Sequence, residues 1–212
     1  MTFEYRGLRY GTHTEVYVPH DDTWLLVDAV RDVDGVGKGD IVVETGCGAG
    51  LGLIAATGRG ARGIGIDRNP AALRLARDNA RLNEVSDRVD VVLGDLVAPV
   101  DLDRVDWLLF NPPYLPTARE ERLPGALNLA FDGGPTGNET LFRFVSMLEA
   151  HAARGKHRPA LLLVTSSLND RGRIKTRLAA AGWDEVEPLG SAAFPFERLY
   201  AEAFRGGSTT AS

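Results

Sequence analysis

Asn111-Pro112-Pro113-Tyr114 follows directly on the apolar run Leu108-Leu109-Phe110. An amide placed at the end of a buried strand presents one acceptor oxygen and two N–H donors to the space beyond the strand. The two prolines fix the turn. The Asn111 side-chain oxygen and the Pro112 carbonyl are therefore acceptors that need no reorganisation during a reaction. Such a pair suits a planar nitrogen. Its lone pair is delocalised, so it is a weak nucleophile, and accepting both its N–H bonds with fixed oxygens turns the lone pair toward an electrophile. Tyr114 offers a flat face on which a planar group can stack.

A second chemical feature lies upstream. In "ETGCGAGLG" (44–52) the spacing G-x-G-x-x-G fails in both registers, because the third position is Leu51 or Leu53. The pattern is instead acidic-x-Gly-x-Gly-x-Gly: Glu44, Gly46, Gly48 and Gly50, with Cys47 as a small filler. Glycines between a strand and a helix let backbone N–H groups approach a ligand at the positive end of the helix dipole. Asp67, followed by Arg68, ends the next strand-like run, and Asp95 follows Gly94 after the third. A carboxylate at Asp67 is placed to accept from both hydroxyls of a ribose, and all three strand ends face one crevice. Taken singly, Asp67 and Asp95 also read as helix-cap or turn residues.

These residues need a frame. Short apolar runs at 40–46, 61–67, 88–95, 105–111 and 159–166 read as buried strands. Helical spacing occupies 51–60, 69–83, 138–153 and 170–183, with Asn69 as a cap and Pro70 in a first turn. The segments 184–191 and 198–204 read as a closing pair of strands. The alternation predicts an α/β fold: a doubly wound, seven-stranded, mostly parallel sheet with an antiparallel closing strand and helices on both faces. A hairpin over 5–18 and a helix over 22–33 are expected ahead of it, with residues 1–35 completing the ligand pocket. Residues 1–204 are expected to form one domain and 205–212 a disordered tail.

The composition narrows the function. The chain has 212 residues and a formal net charge of −5, which argues against sequence-independent binding of duplex DNA. One cysteine excludes an internal disulfide, and the four histidines show no metal-ligand spacing, so no metal is expected. No run approaches the roughly 18 apolar residues of a membrane span. A cytoplasmic protein with no membrane association is expected.

The glycine loop with Glu44 resembles the first motif of class I S-adenosylmethionine-dependent methyltransferases. The resemblance implies that the loop curls under the methionine part of the cofactor and that Asp95 and Leu96 hold its adenine. "NPPY" is similar to the motif of methyltransferases acting on planar nitrogen, in nucleic-acid bases or in glutamine. A sulfonium donor already carries positive charge, so displacement at its methyl needs no metal, and the product would be S-adenosylhomocysteine.

Two further segments choose among substrates. "VYVPHDDTWLLVDAV" (16–30) and "AFDGGPTGNETLFRF" (130–144) resemble HemK-like protein-(glutamine-N5) methyltransferases of the eukaryotic and archaeal release-factor branch. That resemblance covers about 14–204. It implies that Pro19, Asp22 and Thr23 line the cofactor pocket with Glu44, Gly46, Cys47, Gly48, Gly50, Asp67, Arg68, Asp95, Leu96 and Asn111. Asn111, Pro112, Pro113 and Tyr114 would hold a glutamine amide from the Gly-Gly-Gln loop of a class I release factor. Residues 132–137 would form a mobile substrate loop, and a small zinc-binding activator would pair along the strand at 88–94 to give a heterodimer. NPPY alone also admits an RNA or DNA amino-group methyltransferase acting on adenine-N6 or guanine-N2. A third alternative is a non-catalytic cofactor-binding subunit.

Overall fold

The computed structural model describes residues 1–117, 133–155 and 157–206. A short hairpin opens the chain: β1 (Thr2–Tyr5) and β2 (Leu8–Gly11) pair in antiparallel fashion. It is earlier and shorter than the expected 5–18. The β-branched and aromatic residues of 14–18 misled that expectation. Val16 is buried beside a cavity, and the segment is bound by a turn (Val16 N–H to His13 O, 3.1 Å) and by Asn69 Nδ2 donating to Glu15 O at 2.7 Å.

Helix α1 (Asp21–Asp32) follows. Then β3 (Ile41–Thr45), α2 (Leu51–Gly58), β4 (Arg62–Asp67), α3 (Pro70–Leu82), β5 (Val89–Leu93) and β6 (Trp107–Phe110) alternate as expected. After β6 come α4 (Glu139–Ala152), β7 (Ala160–Ser166), α5 (Arg171–Ala180), β8 (Trp183–Ala193) and β9 (Arg198–Gly206). One turn of 3-10 helix at Leu102–Arg104 was not foreseen.

The main sheet has the order β5-β4-β3-β6-β7-β9-β8. The strands from β5 to β7 run parallel. β9 is antiparallel to both β7 and β8, so the last strand is inserted between two earlier ones and does not lie at an edge. It also runs further than expected. Arg205 and Gly206 pair with Asp184 and Trp183, and the Arg205 guanidinium donates to Asp34 O at 2.7 Å and lies over the Trp107 ring. Those two residues are therefore strand, and the rest of the expected tail, 207–212, lies outside the described residues.

Strand periodicity divides the core. Val42, Trp107, Leu109, Leu162 and Val164 point to one face, where α1, α2 and α3 pack. Their neighbours Val43, Leu108, Phe110, Leu161 and Leu163 point to the other, under α4 and α5. Strands buried on both faces read as unbroken apolar runs, which is why β6 and β7 are legible only as such.

Candidate active site

The carboxyl ends of β3, β4, β5 and β6 open on a cavity of about 410 Å³, roofed by residues 15–23 and by α4. Pro19, Asp22, Thr23, Glu44, Gly46, Cys47, Gly48, Asp67, Arg68, Asp95, Leu96, Asn111, Pro112, Pro113 and Tyr114 all line it. Of the expected site residues only Gly50 stays behind the wall. It is the N-cap of α2 at φ 75°, and an added Cβ would sit 2.9 Å from that of Ala76. The loop is thus pressed against α3, which only glycine permits in this left-handed conformation.

Glu44 has two neighbours from other elements. Its Oε2 accepts from Leu53 N–H at 2.7 Å, capping the first turn of α2, and the residue is 5% exposed. Burial pushes its pKa up to about 8; the bond from Leu53 opposes that rise and Asp67 adds to it. Asp67 accepts from Gly48 N–H (2.9 Å, Oδ2) and Asn69 N–H (2.8 Å, Oδ1), so its carboxylate holds the glycine loop on β4 as well as facing the cavity. Its pKa is also raised by burial. Cys47 is buried and its thiol is pushed well up by burial and by Asp67 and Glu44, which leaves it an inert filler. Thr45 contributes a buried hydroxyl that has no partner among the described residues.

At the opposite wall Asp95 is ion-paired with Arg143 of α4 and lies 4.0 Å from Arg68. Leu96 takes a left-handed φ of 50°. Arg143, Glu139 and Thr140 also line the cavity, and no spacing in the sequence pointed to them.

Asn111 follows β6, with its side chain in the cavity wall. Its Nδ2 donates to Asp22 Oδ2 at 3.0 Å, across 89 residues of sequence. Asp22 also receives Thr23 N–H at 2.7 Å and the Tyr17 hydroxyl at 3.1 Å, both on Oδ1. A carboxylate only accepts, so this bond fixes the amide flip, and Asn111 Oδ1 must point the other way. That oxygen is buried and has no hydrogen-bond partner among the described residues. Asp22 was expected only to line the pocket; it also orients the amide. Tyr114 is half-buried, and burial together with Asp22, Glu197 and Asp21 raises its phenol pKa, so it stays neutral.

Residues 133–137 lie against the NPPY turn. Gly133 N–H donates to Leu115 O at 3.1 Å and Thr117 N–H to Gly134 O at 3.0 Å. A Cβ on Gly137 would meet Tyr114 O at 2.5 Å. Asp132, the start of the expected substrate loop, lies outside the described residues. His20 precedes α1 with no side-chain cap bond.

The cavity fits an adenosyl sulfonium cofactor by its chemistry: a glycine loop, a carboxylate at the end of β4, and an unsatisfied hydroxyl at the end of β3. Among the described residues no group of three His, Cys, Asp or Glu is placed to hold a metal ion.

Comparison with known proteins agrees. Residues 21–123 match the Methyltransferase small domain family. A Methanocaldococcus jannaschii protein assigned by name to the N5-glutamine methyltransferases is 38% identical over 200 residues, covering 94% of this chain and 96% of that one. The release factor glutamine methyltransferase of Moorella thermoacetica is 34% identical over 84% of this chain, which spans 63% of that protein's length. Among solved structures, the E. cuniculi Mtq2-Trm112 complex, titled as responsible for methylation of the eRF1 termination factor, superposes with a TM-score of 0.69. It is 24% identical and covers 92% of this chain and 100% of its own, a likeness of fold. The chain belongs to the family of S-adenosylmethionine-dependent protein N5-glutamine methyltransferases.

Proposed function

We propose that the chain methylates the side-chain amide nitrogen of a glutamine in the Gly-Gly-Gln loop of a class I translation termination factor. The observation that carries this is the buried, unpartnered Asn111 Oδ1, held in one orientation by Asp22. A buried acceptor left unsatisfied costs about 1–3 kcal/mol. A substrate N–H that reaches this oxygen, once the wall now covering it gives way, restores that loss. The Pro112 carbonyl is assigned the second N–H, and Tyr114 the flat face of the amide. With both N–H bonds accepted, the nitrogen lone pair is turned out of conjugation toward the donor. Bound S-adenosylmethionine supplies an electrophilic methyl on a sulfonium; the product amide then sheds one proton to water. We assign Pro19, Thr23 and the Gly46–Gly50 loop to the methionine end of the cofactor, Asp67 and Arg68 to its ribose, and Asp95 and Leu96 to its adenine. Asp67 would exchange one loop amide for a ribose hydroxyl. No metal has a part in this scheme. The names of the relatives support a release factor as substrate.

A small zinc-binding activator is proposed to add along β5. Of the two outer strands, β8 carries Pro188 and register irregularities, both of which discourage strand addition. β5 has neither, and it presents Leu93 at 60% exposure. The E. cuniculi neighbour is itself a two-protein complex.

The test uses labelled S-adenosylmethionine with release factor or total RNA, with and without a candidate activator. Label is expected on the glutamine. Label in RNA and never in the factor overturns the reading in favour of an RNA enzyme. Asn111→Ala is expected to lower kcat by about 100-fold or more, the scale of losing one preorganised polar group, while cofactor binding persists.

A further inference from the structure

A protein substrate must seat more than one side chain, and this inference rests on the reading of a protein glutamine as target. Among the described residues, exposed large apolar side chains at the cavity end of the sheet are Leu93, at the end of β5, and five others: Val18, Leu115, Leu168, Phe194 and Phe196. Val18 precedes Pro19 of the cavity wall, and Leu115 lines the cavity itself. Leu168, Phe194 and Phe196 are brought there by topology. β8 is antiparallel to β9, which is antiparallel to β7, so β8 ends on the same side as the parallel strands. Its hairpin turn, Phe194-Pro195-Phe196-Glu197, is closed by Phe194 N–H donating to Glu197 O at 2.7 Å.

That tip is tied to the active site. The Ser166 hydroxyl, at the end of β7, donates to Glu197 Oε1 at 2.6 Å and accepts from Leu168 N–H at 3.0 Å. Ser167 N–H donates to Arg198 O at 2.8 Å, and Asn169 Nδ2 donates to Gly137 O at 2.9 Å. Gly137 in turn lies against the carbonyl of Tyr114. Hydrogen bonds from the tip to Gly137, and the close backbone approach of Gly137 to Tyr114, therefore join the hairpin to the NPPY turn. Phe196 is 94% exposed, and its ring contributes nothing to the fold at that exposure. An aromatic ring held in water on a rigid hairpin beside a reaction mouth has the character of an interface anchor.

We propose that the β8–β9 hairpin tip, with Phe196 as its anchor and Phe194 and Leu168 beside it, docks the body of the protein substrate next to the loop that carries the methylated glutamine. The partner is a folded protein with an apolar patch flanking that loop. A short peptide enters the cavity without reaching the tip.

The experiment compares two substrates: the full-length release factor and a synthetic peptide spanning its Gly-Gly-Gln loop. For Phe196→Ser, and for the pair Phe194→Ser with Phe196→Ser, kcat/KM on the whole factor is expected to fall about tenfold or more through KM, the size of a hot-spot loss. The peptide should be methylated as by wild type, and Val186→Ser, an exposed residue of β8 far from the tip, should change neither rate. Equal kcat/KM for variant and wild type on the whole factor overturns the proposal. So does a parallel fall on factor and peptide, which would mean damage to the site and not lost docking. Wild type that labels neither substrate, with the candidate activator present, overturns the glutamine reading, and this inference with it.

Discussion

Among the described residues Glu44 has no cation beside it. It caps α2 through Leu53, faces a second acid at Asp67, and has its pKa pushed up to about 8 by burial. The native state thus holds a proton that the unfolded chain releases near the ordinary value of 4.5. This contribution to stability is complete below about pH 4.5, is lost as pH rises toward 8, and is flat above it. Thermal melts from pH 5 to pH 9 should show a falling Tm for wild type and a shallower fall for Glu44→Gln, which keeps a neutral acceptor for Leu53. Equal slopes would mean that Glu44 is ionised in the native state. The residue types of the site were legible because their spacing is local: an acid and three glycines within seven positions, an amide before two prolines. The bond between Asp22 and Asn111 was not, since nothing in either neighbourhood marks a partner 89 positions away. Arg143, which contacts Asp95 from α4, was silent for the same reason.

Elements are held where the sequence gives only periodicity. α5 is fixed over the sheet by Arg171 and Lys175, one turn apart, which converge on Glu202 of β9. Glu202 is buried, also accepts from the Thr165 hydroxyl at 3.1 Å, and Arg171 lies over the Tyr200 ring. Removing the buried Glu202 leaves Arg171 without its carboxylate and Lys175 with Glu185 alone. Glu202→Ala should therefore cost on the order of 3 kcal/mol, a fall in Tm of roughly 10 °C. A change under about 2 °C would show that water replaces the carboxylate at that position. Helices and buried strands were read correctly from 3.6-residue spacing and unbroken apolar runs. The opening hairpin was displaced, because the strand-like residues of 14–18 are used to wall the cavity and form no ladder.

For the whole molecule, the parallel half of the sheet follows from alternating strands and helices, and the crevice follows from the parallel half. The position of β9 does not. Its residues read equally well as an edge strand, and only long-range pairing with β7 (Leu161 with Phe204) places it inside. The same sheet leaves β8 and β5 as outer strands, and their different edges underlie the partner proposed above.

The insertion of β9 also bears on how the molecule opens. β8 pairs in the sheet with β9 alone, so the β8–β9 pair leaves β7 only when both the β7–β9 ladder and its packing on α1 and α5 are broken. The two are joined by a tight turn, and a local hairpin forms in about 1–10 μs, far sooner than contacts that must close long loops. β8 and β9 should therefore dock onto β7 late, as one preformed unit, and detach as one. Native-state hydrogen exchange is expected to give their inter-strand amides a common opening free energy, below that of β3, β4 and β6. If β8 amides exchanged independently of β9, the two strands would not be a single cooperative unit. In the native state the tip that carries Phe196 stays held by the Ser166 and Ser167 bonds; only in the rarer opened state does it leave, while the cofactor cavity, formed by strands on the other side of β7, stays closed.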